Sequence, residues 1–117
     1  MQINEVAFNG GLPVDGYGPG FFRVAGQVHH GPLLILPEGA MSWDGYDDLD
    51  RLTAASKSID VLFVGTGSEI SAVPVTLRDT LENVGVGVEM MASPSACRTY
   101  NVLLSEGRRV GLAVFPV

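Results

Sequence analysis

The sequence predicts an α/β domain: a sheet buried on both faces, crossed by helices and preceded by a small antiparallel unit. Two observations carry this. Short apolar runs at Leu33–Leu36, Ile59–Val64 and Val110–Phe115 alternate with segments whose apolar residues fall on one helical stripe, the pattern of strands covered on both faces and joined by crossovers. The strands beginning at Leu33, Ile59 and Gly87 also start about 27 residues apart, close to the length of one crossover unit. A chain of 117 residues, 46% hydrophobic and 17% charged, has the size and composition of one folded domain spanning 1–117.

Ile3, Val6 and Phe8 around polar Asn4 and Glu5 predict a first strand, closed by Asn9-Gly10-Gly11. Leu12–Gly20 holds five Gly and Pro residues and reads as an irregular loop. Phe21–Val24 and Gln27–His29 flank Ala25-Gly26 at hairpin spacing. Leu33–Leu36 is the next strand, ended by Pro37-Glu38-Gly39. A helix of about ten residues should follow, with Tyr46, Leu49 and Leu52 on its stripe, Asp44 as N-cap and Asp47, Asp48 and Asp50 in its first turns. The Ile59–Val64 strand closes at Gly65-Thr66-Gly67-Ser68, and a second helix starts near Val75 and runs through Leu77, Leu81 and Val84. Gly87–Met90 is a strand. Ser93-Pro94 then opens a third helix, with Ser as N-cap and Pro at N1. Ala96 or Cys97, Tyr100, Leu103 and Leu104 form its buried face, Glu106-Gly107 stops it, and Val110–Phe115 is the final strand.

Charge excludes several partners. Nucleic acid and anionic membrane binding both rest on clustered Lys and Arg. This chain carries −6, its seven basic residues are scattered, and Arg108-Arg109 is the only basic pair. The longest apolar stretches, Ile59–Gly65 and Val110–Val117, fall far short of the roughly 20 residues of a membrane span. Cys97 is alone, so no intrachain disulfide is expected and a reducing compartment fits. The first residues show no basic, apolar or amphipathic presequence pattern. The expected location is the cytoplasm.

Ligands of open parallel sheets bind beyond the carboxyl ends of the strands. The loops meeting that condition are Pro37–Trp43, Gly65–Pro74 and Met91–Ser95, which bring together Glu38, Trp43, Thr66, Ser68, Glu69, Ser93 and Ser95. The candidate ligand-binding residues are therefore Gly65, Thr66, Gly67, Ser68, Ser93 and Ser95, with Trp43 as an aromatic wall and the third helix's free N–H groups favouring an anion. Gly65–Ser68 matches neither the dinucleotide fingerprint nor the phosphate loop. Two readings stay open: a backbone cradle for an anion, or a tight strand exit where Cβ would clash.

Other chemistry-bearing residues read as structural. Cys97 lies one turn inside its helix with no His nearby, so it is a buried core cysteine. Arg98 is solvated, and Glu106 pairs locally with Arg108 or Arg109. His29 and His30 point to opposite strand faces, and the aspartates from 44 to 50 lack the calcium-loop pattern. No Ser–His–Asp or H-E-x-x-H arrangement exists. No catalytic residue, metal or cofactor is predicted. Tyr17 and one of Phe21 and Phe22 face either a second core layer or a protein partner.

Gly31-Pro32-Leu33-Leu34-Ile35-Leu36-Pro37, Val61–Gly67, Ala96-Cys97-Arg98-Thr99-Tyr100-Asn101-Val102-Leu103 and Glu106-Gly107-Arg108-Arg109-Val110 together resemble one family over nearly the whole chain. It is the domain-of-unknown-function family that includes the mitochondrial NADH dehydrogenase (complex I) assembly factor 3 and small bacterial proteins. The resemblance implies a single three-layer domain (β+α/β/α) with a central mixed, mostly parallel sheet, and leaves room for the last strand to run antiparallel. It implies no catalytic residue, because no activity is established for the family. The assembly role belongs to the mitochondrial members and works through protein partners. Two functions are therefore expected in competition: a non-enzymatic interaction or assembly-factor-like domain, and an anionic-ligand-binding protein or cryptic enzyme using the Gly65–Ser68 crevice. The oligomeric state is left open.

Overall fold

A computed structural model describes residues 11–117, so the strand expected over Ile3–Phe8 lies outside the described residues. The described part begins with three strands, β1 (Val14–Gly18), β2 (Phe21–Val24) and β3 (Gln27–His30), paired antiparallel in that order. The β2–β3 hairpin is as expected. Its turn residues Ala25 and Gly26 have φ of 52° and 79°, the left-handed pair that matches strand twist in a two-residue hairpin. β1 corrects the reading of Leu12–Gly20 as irregular. Its pairing needs backbone groups only, and Gly18 lets the Phe21 ring lie where a Cβ would meet Cε2 at 2.5 Å.

The second sheet contains β4 (Leu33–Leu36), β5 (Gly39–Ser42), β6 (Val61–Gly65), β7 (Gly87–Met91) and β8 (Val110–Val114), in the order β5-β4-β8-β6-β7. β6 pairs parallel with both β7 and β8, while β4 pairs antiparallel with β5 and β8. Only β4 therefore runs against the other four strands, and the sheet is mixed but mostly parallel in direction. The last strand is parallel to one neighbour and antiparallel to the other. Two expectations are corrected. β5 lies inside what reads as the Pro37–Trp43 loop, because Gly39-Ala40-Met41-Ser42 carries no β-branched or alternating signal. The Leu33 and Ile59 strands do not form a parallel crossover unit either, since β4 runs antiparallel to β6 and β8 lies between them.

The helices among the described residues are α1 (Asp50–Ala54), α2 (Val75–Asn83) and α3 (Ser93–Ser105). α1 is shorter than expected and Asp44 does not cap it; Leu49 stands at its N-cap. Gly45 has φ of 94° and its carbonyl accepts from Asp48 N at 3.0 Å, a turn that no continuous helix can cross. Tyr46 and Leu49 still pack against the core from that turn. α2 and α3 end alike. Gly85 N donates to Glu82 O and Val86 N to Leu81 O, and likewise Gly107 N to Leu104 O and Arg108 N to Leu103 O. Both are Schellman ends, which require the left-handed glycines at φ of 89° and 82°. Val84, expected on the α2 stripe, is instead its exposed C-cap.

The sheet separates two cores. Leu34, Leu36, Leu62, Val64, Val88 and Ala113 face α1 and α2, meeting Leu52, Leu77 and Leu81. Leu33, Ile35, Phe63, Leu112 and Val114 face α3 and the small sheet, meeting Ala96, Tyr100, Leu104 and Phe22. That is the expected three-layer arrangement, with β1–β3 and α3 sharing one outer layer. Among the described residues no helix is long and apolar enough to cross a membrane.

Asn101 joins α3 to the small sheet. Its Oδ1 accepts from Val14 N and its Nδ2 donates to Val14 O, each at 2.8 Å. Replacing Asn101 by Ala removes both of these bonds, so urea denaturation should show a loss of about 1–3 kcal/mol. Asn101→Asp retains the acceptor but sets a carboxylate oxygen against Val14 O, so it should be no more stable than Asn101→Ala.

Candidate functional site

The carboxyl ends of the three parallel strands meet at Gly65, Met91 and Val114. Gly65 has no room for a side chain: a Cβ there would lie 2.5 Å from Val114 Cγ2, 2.8 Å from Ser93 Oγ and 2.9 Å from Ser93 Cα. The glycine lets α3 start directly against the strand exit. Gly65 O accepts from Phe115 N at 2.9 Å, and Thr66 N donates to Met91 O at 2.9 Å. Gly67 N donates to Ser93 Oγ at 2.8 Å, while Ser93 N donates to Gly67 O at 2.7 Å. The Ser93 hydroxyl in turn donates to Phe115 O at 2.5 Å.

Ser93 is thus not the side-chain cap of α3. Ala92 occupies the N-cap position, and the Ser93 hydroxyl bridges two loops instead. The Thr66 hydroxyl donates to Glu69 O at 2.7 Å and accepts from Ser71 N at 3.0 Å, which folds the loop back on itself. The structure therefore brings Gly65, Thr66, Gly67 and Ser93 together. Ser68 and Glu69 are exposed beside them, and Ser95 is half-buried in the first turn of α3. Trp43 stands apart as a core residue, 2% exposed. Its ring packs on Tyr46 and Phe115 at centroid distances of 5.7 and 5.1 Å, and its indole N–H has no acceptor among the described residues. Glu38 does not join the crevice: β4 runs antiparallel to β8, so the β4–β5 turn that holds Glu38 lies at the opposite end of the sheet.

The remaining candidates are placed as follows. Phe22 is buried and Phe21 half-buried, so one of the pair faces the core. His29 and His30 lie opposite Phe22 and Phe21 on alternate strand faces. Cys97 is 4% exposed and lines a cavity of about 290 Å³ between β1 and α3, with Asp15, Tyr17, Arg98 and Asn101 around it. Burial pushes its thiol up to about 11. Burial also raises the Tyr100 hydroxyl, partly offset by its bond to Leu12 O. Arg109 does not pair with Glu106. Its Nη2 reaches Asp60 Oδ1 at 3.2 Å across the fold.

One grouping escapes sequence reasoning. At the opposite end of the sheet, Lys57 and Ser58 meet Arg108 and Arg109 around a cavity of about 450 Å³. Its only trace in the sequence is the pair Arg108-Arg109, because Lys57 is some fifty positions away.

Comparison with known proteins places this geometry. A family profile described as a protein of unknown function (DUF498/DUF598) matches residues 14–115. An uncharacterised protein of Rhodobacter capsulatus is 54% identical over 100% of this chain and 94% of its own. The NADH dehydrogenase (ubiquinone) 1 alpha subcomplex assembly factor 3 of Danio rerio is 28% identical over 99% of this chain and 71% of its own, and is the longer protein. A solved structure described as an outer membrane protein from Bartonella henselae superposes with a TM-score of 0.83 at 36% identity, covering 92% of this chain and 97% of that one.

Two measurements follow from the site. Ser93→Ala removes the partner of Gly67 N and of Phe115 O, and should cost about 2 kcal/mol in urea denaturation. The second concerns pH. Folding raises the Cys97 thiol from 9.0 to about 11, so between those values the folded chain holds a proton that the unfolded chain gives up. This stabilisation is complete below about pH 9 and is lost as pH rises through 11. Melting temperature should fall across that window, and Cys97→Ala should make the fall shallower.

Proposed function

Because the chain belongs to the DUF498/DUF598 family of proteins of unknown function, we propose that it is a non-enzymatic interaction domain that acts by binding another protein, as an assembly factor does. The observation that carries this reading is its alignment with assembly factor 3 over 99% of its length. The surface adds support. Ile70 (60% exposed), Val75 (70%) and Met90 (37%) come from the loop leaving β6, the start of α2 and the end of β7, so they gather at one end of the sheet. Exposed apolar side chains grouped in this way suit a protein interface. The partner class proposed is a subunit of a multi-subunit NADH dehydrogenase, and the location proposed is the cytoplasm, where the lone Cys97 stays reduced.

The alternative, an anionic ligand or a reaction at the Gly65–Ser68 crevice, is less favoured. Gly67 N–H and the Ser93 hydroxyl already bond each other, so a ligand has to displace an internal bond before making its own.

Removing the protein from its source cell should lower the intact NADH dehydrogenase seen on native gels and leave smaller subcomplexes. An unchanged complex overturns the partner class. The double variant Ile70→Asp, Val75→Asp should fail to restore the complex while melting at the wild-type temperature, since Asp at the first position of α2 suits the helix dipole.

A further inference from the structure

We propose that the cavity where β6 and β8 begin binds a small organic anion, a carboxylate or phosphate on a short apolar body. The site is separate from the interaction surface, which lies at the other end of the sheet, and the proposal does not rest on that reading. Its case starts from charge. The chain carries −6 and has only seven Lys and Arg residues, yet Lys57, Arg108 and Arg109 line this one cavity, and among the described residues no carboxylate lines it with them. Gathering like charges is unfavourable unless something balances them. Asp60 balances Arg109. Among the described residues Lys57 and Arg108 take part in none of the ion pairs, which are Arg51–Asp48, Arg78–Glu82 and Arg109–Asp60.

The fold holds the Arg109 guanidinium and the backbone that carries Lys57 and Arg108. Arg109 Nη2 donates to Lys57 O at 3.0 Å as well as to Asp60, and Asp60 N donates to Arg109 O at 2.8 Å. These bonds fix the α1–β6 loop against the start of β8. Both guanidinium bonds use Nη2, which leaves other N–H groups of the fork for an incoming oxygen. Arg108 is positioned by its backbone N–H, the last bond of the α3 Schellman end. Ser58 Oγ donates to Ala55 O at 2.9 Å. Below the cations, Leu104 and Val110 give the cavity a buried apolar floor. A volume of about 450 Å³ lies in the range of small-molecule sites, which combine an apolar lining with a few charged groups. A cationic rim over an apolar floor selects an amphipathic anion above a bare ion.

The test is an NMR titration of the full 117-residue chain with octanoate, hexyl phosphate, inorganic phosphate and octanol. Octanoate or hexyl phosphate should give saturable shifts at the amides of Ser58, Leu104, Arg108 and Arg109, and the tighter of the two identifies the headgroup. Inorganic phosphate should shift the same amides more weakly, and octanol should bind at least about tenfold more weakly than octanoate. Added salt should weaken binding. The double variant Lys57→Ala, Arg108→Ala should raise the Kd about tenfold with no change in melting temperature; Lys57→Gln alone serves if the double variant does not fold. The proposal is overturned if no probe saturates below about 10 mM. It is equally overturned if the shifts fall at Gly67 and Ser68, or if the substitutions leave affinity unchanged.

Discussion

The insertion of β8 between β4 and β6 is the constraint on which the rest of the molecule depends. All five of its residues are buried, and it alone connects the antiparallel β4–β5 pair to the parallel β6–β7 pair. Its alternate side chains supply both cores: Ala113 toward α1 and α2, Leu112 and Val114 toward α3 and the small sheet. Gly111 fits because a Cβ there would already stand 3.2 Å from Ile59, Leu36 and Leu62. The partners of β8 lie far back in the chain, at Leu33–Ile35 and Val61–Gly65. The central sheet therefore closes only when the last strand arrives, a high-separation pairing of the kind that slows folding.

That central strand also explains why the two ends of the sheet differ. At the carboxyl end, Phe115 leaves β8 and is tied to Gly65 and Ser93. Gly67 is tied to Ser93 as well, so the exits of β6 and β8 and the start of α3 form one closed set of hydrogen bonds. At the other end, the α3 Schellman turn delivers Arg108 and Arg109 to the start of β8. The loop before β6 brings Lys57 and Asp60 opposite them. The end that parallel-sheet topology marks for a ligand is bonded to itself, and the opposite end holds a charged cavity.

Much of this was legible in the residues. The hairpin at Ala25-Gly26, the α2 and α3 helices, the β6 and β7 strands and the change from a small antiparallel unit to a helix-bearing remainder follow from apolar periodicity and from Gly and Pro positions. These signals act over a few residues, and neighbours in sequence carry them. β1 and β5 were not legible. Val14–Gly18 and Gly39–Ser42 are strands because a partner offers backbone groups; two glycines in the first and the lack of β-branched residues in the second conceal it. The expected helix from Asp44 failed at Gly45, whose positive φ is a backbone choice that an otherwise regular stripe conceals. In the candidate site, the residues Gly65, Thr66, Gly67 and Ser93 were found from strand and helix ends, but not the bonds that join them.

The sequence by itself determined the α/β class, the alternation of strand and helix and the acidic balance, because each depends on composition or on short-range spacing. Tertiary structure decided the strand order, the reversed direction of β4, the burial of Trp43 and the meeting of Lys57 with Arg108 and Arg109. Those outcomes are pairings between residues tens of positions apart. Their energy resides in contacts that exist only after β8 has entered the sheet.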